Sequence, residues 1–199
     1  MKPKVSVIIP CYNAVDTLKD AVASVPLADT EVILVDDGST DGSRKIAKDL
    51  YDADVVDKLI LHRTNQGVAK AINDGLDAAE GEYVVFLGSD DDFTTNFSLA
   101  VEELDGTDLV YFDLIINSGE VWHVTPETKG NLCGSVKFMR REFIGDTRED
   151  ETKKTGEDYY FYCDLLNKNP TEKFTGLVVK HYNFPREGSL SWKRRVGEL

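Results

Sequence analysis

Three short acidic stretches stand out by residue type and spacing: Asp36-Asp37, Asp90-Asp91-Asp92 and Glu157-Asp158. Adjacent carboxylates repel one another and gain from a cation. Hard oxygen ligands favour Mg²⁺ or Mn²⁺, which bind through a few carboxylates plus substrate phosphates. By type alone the Asp triplet is equally well a solvated acidic turn in a surface loop. Glu157-Asp158 opens a helical pattern, where a carboxylate interacts with the helix dipole. A carboxylate positioned there is also able to take a proton as a general base. Near the start of the chain, Pro10, Tyr12 and Asn13 add a flat aromatic ring and an amide to the groups available for binding.

The elements that must position these residues follow from hydrophobic periodicity. Val5 to Pro10 is an apolar run of strand length, and Leu18, Ala21, Val22 and Val25 recur at helical spacing before Pro26. Glu31 to Asp36 is a second strand. It delivers the loop Asp36 to Gly42, whose glycines permit tight turns and whose Ser39 and Thr40 are expected to cap the next helix. A strand at Leu59–His62 leads to Asn65-Gln66-Gly67. A helix follows with Val68, Ala71, Ile72, Gly75, Leu76 and Ala79 on one face, and then a central strand, Tyr83–Leu87, ending at the triplet. This alternation predicts an α/β fold with a mostly parallel sheet and helices on both faces. Ligands bind beyond the carboxyl ends of strands in such sheets. The first two acidic stretches and Pro10-Cys11-Tyr12-Asn13 therefore share one edge and outline a cleft. That cleft suits a nucleoside diphosphate, with its base against Tyr12 and Mg²⁺ or Mn²⁺ on its phosphates.

Farther along, the pattern predicts a helix at Phe97–Leu104 and strands at Asp108–Asp113, Val121–Val124 and Gly134–Phe138. Glu142–Glu151 is expected to be a mobile polar loop. A helix at Asp158–Asn167 and a last strand at Leu177–Tyr182 follow. Neither a repeat nor an interdomain linker is visible, and one domain over residues 1–199 is expected.

Thirty-six acidic against 23 basic residues give the 199-residue chain a formal net charge of -13. A general nucleic-acid binder needs a basic footprint, so that class is excluded. Cys11, Cys133 and Cys163 have no metal-ligand spacing and read as reduced thiols. With no long apolar run, no transmembrane segment is expected. The chain reads as cytoplasmic, with peripheral membrane contact left open. The tail Trp192-Lys193-Arg194-Arg195 carries too few charges for stable anchoring and reads as solvated. His62 and His123 read as structural or exposed, and His181 as a weak candidate for the site. Neither a phosphate-binding G-x-x-x-x-G-K-[ST] loop nor a dinucleotide-binding G-x-G-x-x-G follows a strand.

Five segments, in order, carry a resemblance. They are Val5 to Asn13 (VSVIIPCYN), Val35 to Asp41 (VDDGSTD), Asn65 to Asn73 (NQGVAKAIN), Gly81 to Asp91 (GEYVVFLGSDD) and Gly156 to Asp158 (GED). Together they resemble the motifs of family 2 glycosyltransferases with the GT-A, Rossmann-like fold. The resemblance implies inverting, hexosyltransferase-type transfer of a sugar from a nucleotide-diphosphate donor, usually a UDP-sugar, to an acceptor hydroxyl. It implies that Tyr12 stacks on the base, that Asp37 contacts the uracil edge and that Asp90 contacts ribose or diphosphate. It further implies that Asp91, expected in a solvent-facing loop, binds the metal, and that Asp158 is the general base. Pro10, Asn13, Asn65 and Lys70 fall in the motifs that line the nucleotide. Arg186 and Ser189 match a C-terminal loop that neutralises the leaving diphosphate.

Two positions depart from the family pattern: Gly88 stands where an Asp is usual, and Ile72 where an Arg is common. Lys70 either replaces that Arg or is an ordinary helical lysine. The expected division is a nucleotide-binding part over 1–116 and an acceptor-side part over 117–199. Two other readings stay open. One is a degenerate domain that binds a nucleotide sugar without transfer; the other is a nucleotidyltransferase, which would normally bring a Gly-rich basic loop absent here. The sequence names neither sugar nor acceptor.

Overall fold

The computed structural model describes residues 2–131, 136–153 and 156–184. Strands β1 (Val5–Cys11) and β2 (Thr30–Asp36) are apolar over nearly their full length and pair in parallel, with Cys11 opposite Asp36. Val5, Val7, Ile8, Ile9 and the run Val32 to Val35 are fully buried, as unbroken apolar strands require when both faces of a sheet are covered. Strand β3 (Lys58–Leu61) pairs with the outer edge of β2, and β4 (Tyr83–Phe86) with the other side of β1. The crossovers carry α1 (Leu18–Ala23), α2 (Ser43–Asp52) and α3 (Val68–Ala78). α3 buries Ala71, Ile72, Gly75 and Leu76 of the face expected from its spacing, with Val68 partly buried, and also Ala69 and Asn73. A Cβ on Gly75 would lie 2.4 Å from Ile8 Cγ2, so the missing side chain sets how closely α3 approaches the sheet.

Beyond β4 lie β5 (Asp92–Phe93), α4 (Phe97–Glu102), β6 (Leu109–Ile116), β7 (Val121–Trp122) and a 3₁₀ turn at Lys129–Asn131. Then come β8 (Lys137–Arg140), α5 (Arg141–Ile144), α6 (Glu157–Leu166) and β9 (Glu172–Tyr182). Among the described residues one sheet runs β3-β2-β1-β4-β8-β6-β9-β5, with β7 on β6. β3, β2, β1, β4, β6 and β9 point one way, and β8, β7 and β5 the other. The fold is therefore mixed α/β with a mostly parallel sheet. No described helix is long and apolar enough to cross a membrane.

The structure corrects four local expectations. Of the strand expected at Gly134–Phe138, residues 134–135 lie outside the described residues; the described strand runs on past Phe138 as Lys137–Arg140, wedged antiparallel between β4 and β6. The supposed mobile stretch Glu142–Glu151 begins inside α5. It is also anchored: Asn73 donates from Nδ2 to the Glu149 carbonyl at 2.9 Å and accepts the Glu149 N–H at 2.8 Å. Neither Ser39 nor Thr40 caps α2; Asp41 Oδ1 instead accepts the Ser43 N–H at 2.9 Å and its hydroxyl at 2.6 Å. The last strand starts at Glu172 rather than Leu177, because its first half gains β6 as a partner through an irregular register.

Candidate active site

The carboxyl ends of β1, β2 and β4 lie at one edge because the three strands are parallel and in register. Tyr12 leaves β1 half-exposed, its ring free to take a flat ligand. Asn13 holds a positive φ of 52°, which Asn tolerates better than most side chains. Its amide oxygen accepts the Thr40 N–H at 2.8 Å, and its own N–H donates to Ser39 Oγ at 3.0 Å. The turn after β1 is thereby stapled to the loop after β2, with Pro10 at its base. Gly38, φ +75°, brings that loop so close to Thr64 and Asn65 that a Cβ would sit 2.4 Å from their backbone. Asn65, on the facing loop, is exposed.

Within this edge, Asp36 and Asp37 both have partners inside the protein. Asp36 is fully buried and accepts from Arg44 Nε at 2.7 Å. Asp37 is 2% exposed, and its carboxylate accepts the N–H groups of Gln66 and Gly67, both at 2.8 Å. Its Oδ1 also meets His62 Nδ1 at 2.6 Å. Three of the roughly four acceptor positions of the Asp37 carboxylate are thus taken up within the protein. Buried His62 bridges Asp37 to Asp74, with Nε2 at 2.8 Å from Asp74 Oδ2. Lys70 pairs with Asp74 one turn along α3, so its ammonium is committed there. Burial pushes the Asp74 carboxyl up, but the hydrogen bonds from Lys70 and His62 outweigh it and hold the group below its usual range. His62 is thus structural. His123 is largely exposed and meets Asp113 at 2.6 Å.

The acidic triplet follows β4 in a tight turn closed by the Asp91 N–H on the Gly88 carbonyl, 3.1 Å. Asp90 and Asp92 are half-buried. Asp91 is buried, contrary to the solvent-facing position expected for it, and the reason is strand β9. Pairing of β5 with β9 sets Phe93 opposite Lys180 and Asp92 opposite His181. Lys180, 1% exposed, then places Nζ 2.7 Å from Asp91 Oδ2. The Asn183 N–H donates to Asp91 Oδ1 at 3.0 Å, and His181 Nδ1 lies 3.2 Å from Asp92 Oδ1. Among the described residues no three carboxylate, imidazole or thiol groups converge to hold a metal ion. Both oxygens of Asp91 are engaged, one by a full positive charge, so the residues as they stand do not fit a metal on that carboxylate. Lys180 escaped sequence reading, although a lone lysine within Leu177-Val178-Val179-Lys180 is itself a signal: a charge on a buried strand needs a partner.

Glu157 and Asp158 form the first turn of α6, which docks on the end of β4 through Phe161 and Phe86, ring centroids 6.2 Å apart. Glu157 is buried and Asp158 half-exposed. Glu149, buried beside them, was assigned no role from the sequence. Desolvation first, then the charges of Glu157 and Asp158, push its carboxyl up to about 8, so it is held protonated at neutral pH. Arg186 and Ser189 lie outside the described residues, as do Cys133 and the basic tail Trp192-Lys193-Arg194-Arg195.

The profile of the family described as "Glycosyl transferase family 2" matches residues 6–174. A relative from Haemophilus influenzae, named an uncharacterized glycosyltransferase, is 45% identical over 95% of this chain and 81% of its own. S. aureus TarS 1-349 in complex with UDP-GlcNAc superposes with a TM-score of 0.80 at 24% identity, covering 94% of this chain and 60% of that one. Mannosyltransferase PcManGT from Pyrobaculum calidifontis, in complex with GDP-Man and Mn²⁺, gives 0.75 at 21% identity, covering 100% and 62%. At these identities the two structures speak for the GT-A fold. The chain spans 61% of the length of several mycobacterial relatives.

Proposed function

The chain belongs to glycosyltransferase family 2, and we propose that it moves a sugar from a nucleotide-diphosphate donor, a UDP-sugar, to an acceptor hydroxyl with inversion. The observation that carries this reading is the shared edge: β1, β2 and β4 run parallel and end together, and α6, with Asp158 in its first turn, packs on the end of β4. TarS and PcManGT are solved with nucleotide sugars, and this chain has their fold. In this reading the base stacks on Tyr12. Asn13 and Asn65 shape its pocket with Pro10, and Asp37 holds the wall behind it. Asp90 faces ribose or diphosphate, while Arg186 and Ser189 take the leaving diphosphate. Residues 1–116 supply the nucleotide side and 117–199 the acceptor side.

An acceptor hydroxyl is a poor nucleophile until a positioned carboxylate takes its proton, and Asp158 is assigned that task. A bound Mn²⁺ or Mg²⁺ would supply charge neutralisation of a departing diphosphate. On Asp91 it would have to displace Lys180, so no step is assigned to it here. The test is a donor screen read by UDP release with an accepted hydroxyl, followed by Asp158→Asn. The variant should keep donor affinity and lose transfer by roughly 10²–10⁴-fold. Near-normal turnover would remove Asp158 as the base. Donor binding without release, across donors and acceptors, would leave a nucleotide-sugar-binding domain instead.

A further inference from the structure

We propose that Lys180 is the resident cation of the acidic strand end: its ammonium occupies the place on Asp91 where a divalent metal would bind, and the free protein holds no Mn²⁺ there. Both side chains are almost fully enclosed, at 1% and 4% exposed, and their charged atoms are 2.7 Å apart. A buried charge is tolerated only when paired, and removing one member of such a pair leaves the other uncompensated. The lysine is not a floating surface residue that any ion would brush aside. The β5–β9 ladder fixes its backbone directly opposite Phe93, two residues from Asp91. The Tyr182 ring, with its centroid 5.7 Å from Nζ, packs beside it. The carboxylate is held from the other side by the Asn183 N–H, so Asp91 ties the end of β9 to the turn after β4.

Gly88 belongs to the same arrangement. A Cβ there would lie 2.8 Å from Asp91 Oδ2 and 2.9 Å from Asp90 Oδ1, so glycine leaves the two carboxylates room to fold back over the turn. A dication approaching Asp91 Oδ2 would meet a positive charge within hydrogen-bonding distance of the same oxygen and be repelled by it. Lys180 is a positioning residue in this account. It neutralises Asp91, while Asp92 lies beside His181. The inference concerns the protein without nucleotide, so its failure would leave the transferase reading where it stands.

The test uses Mn²⁺ alone. Free Mn²⁺ gives an electron-paramagnetic signal that binding broadens away, so titration reads affinity directly. Wild-type protein should leave the signal nearly intact. Lys180→Gln should bind Mn²⁺ at least about tenfold more tightly, a change of about 1.4 kcal/mol, and the gained site should vanish in Lys180→Gln/Asp91→Asn. Equal, tight binding by wild type and Lys180→Gln would overturn the proposal. If Lys180→Gln does not fold, amide spectra of the wild type decide. Retention of the Asp91, Lys180 and Asn183 signals at equimolar Mn²⁺ supports the lysine, and their selective loss refutes it.

Discussion

The carboxylates at the strand ends are held by partners from distant parts of the chain. Asp37 was readable as a carboxylate at a strand end. That Gln66 and Gly67 turn their N–H groups onto it depends on a loop nearly thirty positions away, fitted against Gly38. Asp91 was readable as part of an acidic turn, and its counter-charge arrives from the far end of the chain through a strand pairing that no local pattern encodes. Glu149 is the same lesson in a group with a measurable consequence. Its carboxyl stands at about 8 in the folded protein against an ordinary 4.5, because burial and the neighbouring Glu157 and Asp158 all disfavour its charge. The folded state therefore holds a proton that the unfolded chain releases. Stability falls as pH rises from the lower value to the upper, by up to about 1.4 kcal/mol per unit. Glu149→Gln carries no such proton. Its stability relative to wild type should climb across that window and be flat on either side. Urea melts of both proteins at several pH values measure this directly; parallel profiles would mean that Glu149 ionises normally.

At the scale of elements, β1, β2, β4 and α3 were legible because their burial is nearly complete and their patterns match it: unbroken apolar strands, and one helical apolar face. β8, α5 and the first half of β9 were not. Their residues are mixed in character, and β8 in particular exists because β4 and β6 flank it. The half-exposed start of β9 likewise relies on β6. Gly75 shows what a legible element still conceals, since a glycine in mid-helix reads as a weakness. Here it is the contact point with Ile8, and Gly75→Ala would drive a methyl group to 2.4 Å from Ile8 Cγ2. Alanine gains about 1 kcal/mol of helix propensity, while overpacking costs roughly 1–3 kcal/mol. The net expectation is a loss of stability in denaturant melts, and a smaller loss when Gly75→Ala is made in an Ile8→Ala background, because the two sites touch. A stabilised Gly75→Ala would show that α3 can lift off the sheet without cost.

On the scale of the whole molecule, the proposed division at residue 116 does not fall at a boundary of the sheet. β6 closes the nucleotide-side segment, yet its two ladder partners in the main sheet, β8 and β9, both belong to residues 117–199. β8 also pairs with β4, so the second segment is inserted into the sheet of the first. A chain of residues 1–116 would leave Leu109, Val110, Tyr111 and Phe112, all essentially without exposed surface in the full chain, on an unpaired strand. Each buried side chain of this size contributes about 1.5–3 kcal/mol. Exposing the group forfeits an amount comparable with the ~5–15 kcal/mol that holds a typical domain together. The fragment should therefore lack a cooperative urea transition and give poorly dispersed amide spectra. The full chain should unfold in one step, with the fluorescence of its two tryptophans and far-ultraviolet dichroism changing together. A well-dispersed, cooperatively melting 1–116 fragment would show instead that β1 to β6 and their helices suffice, and that β8 and β9 are dispensable to the nucleotide-side fold.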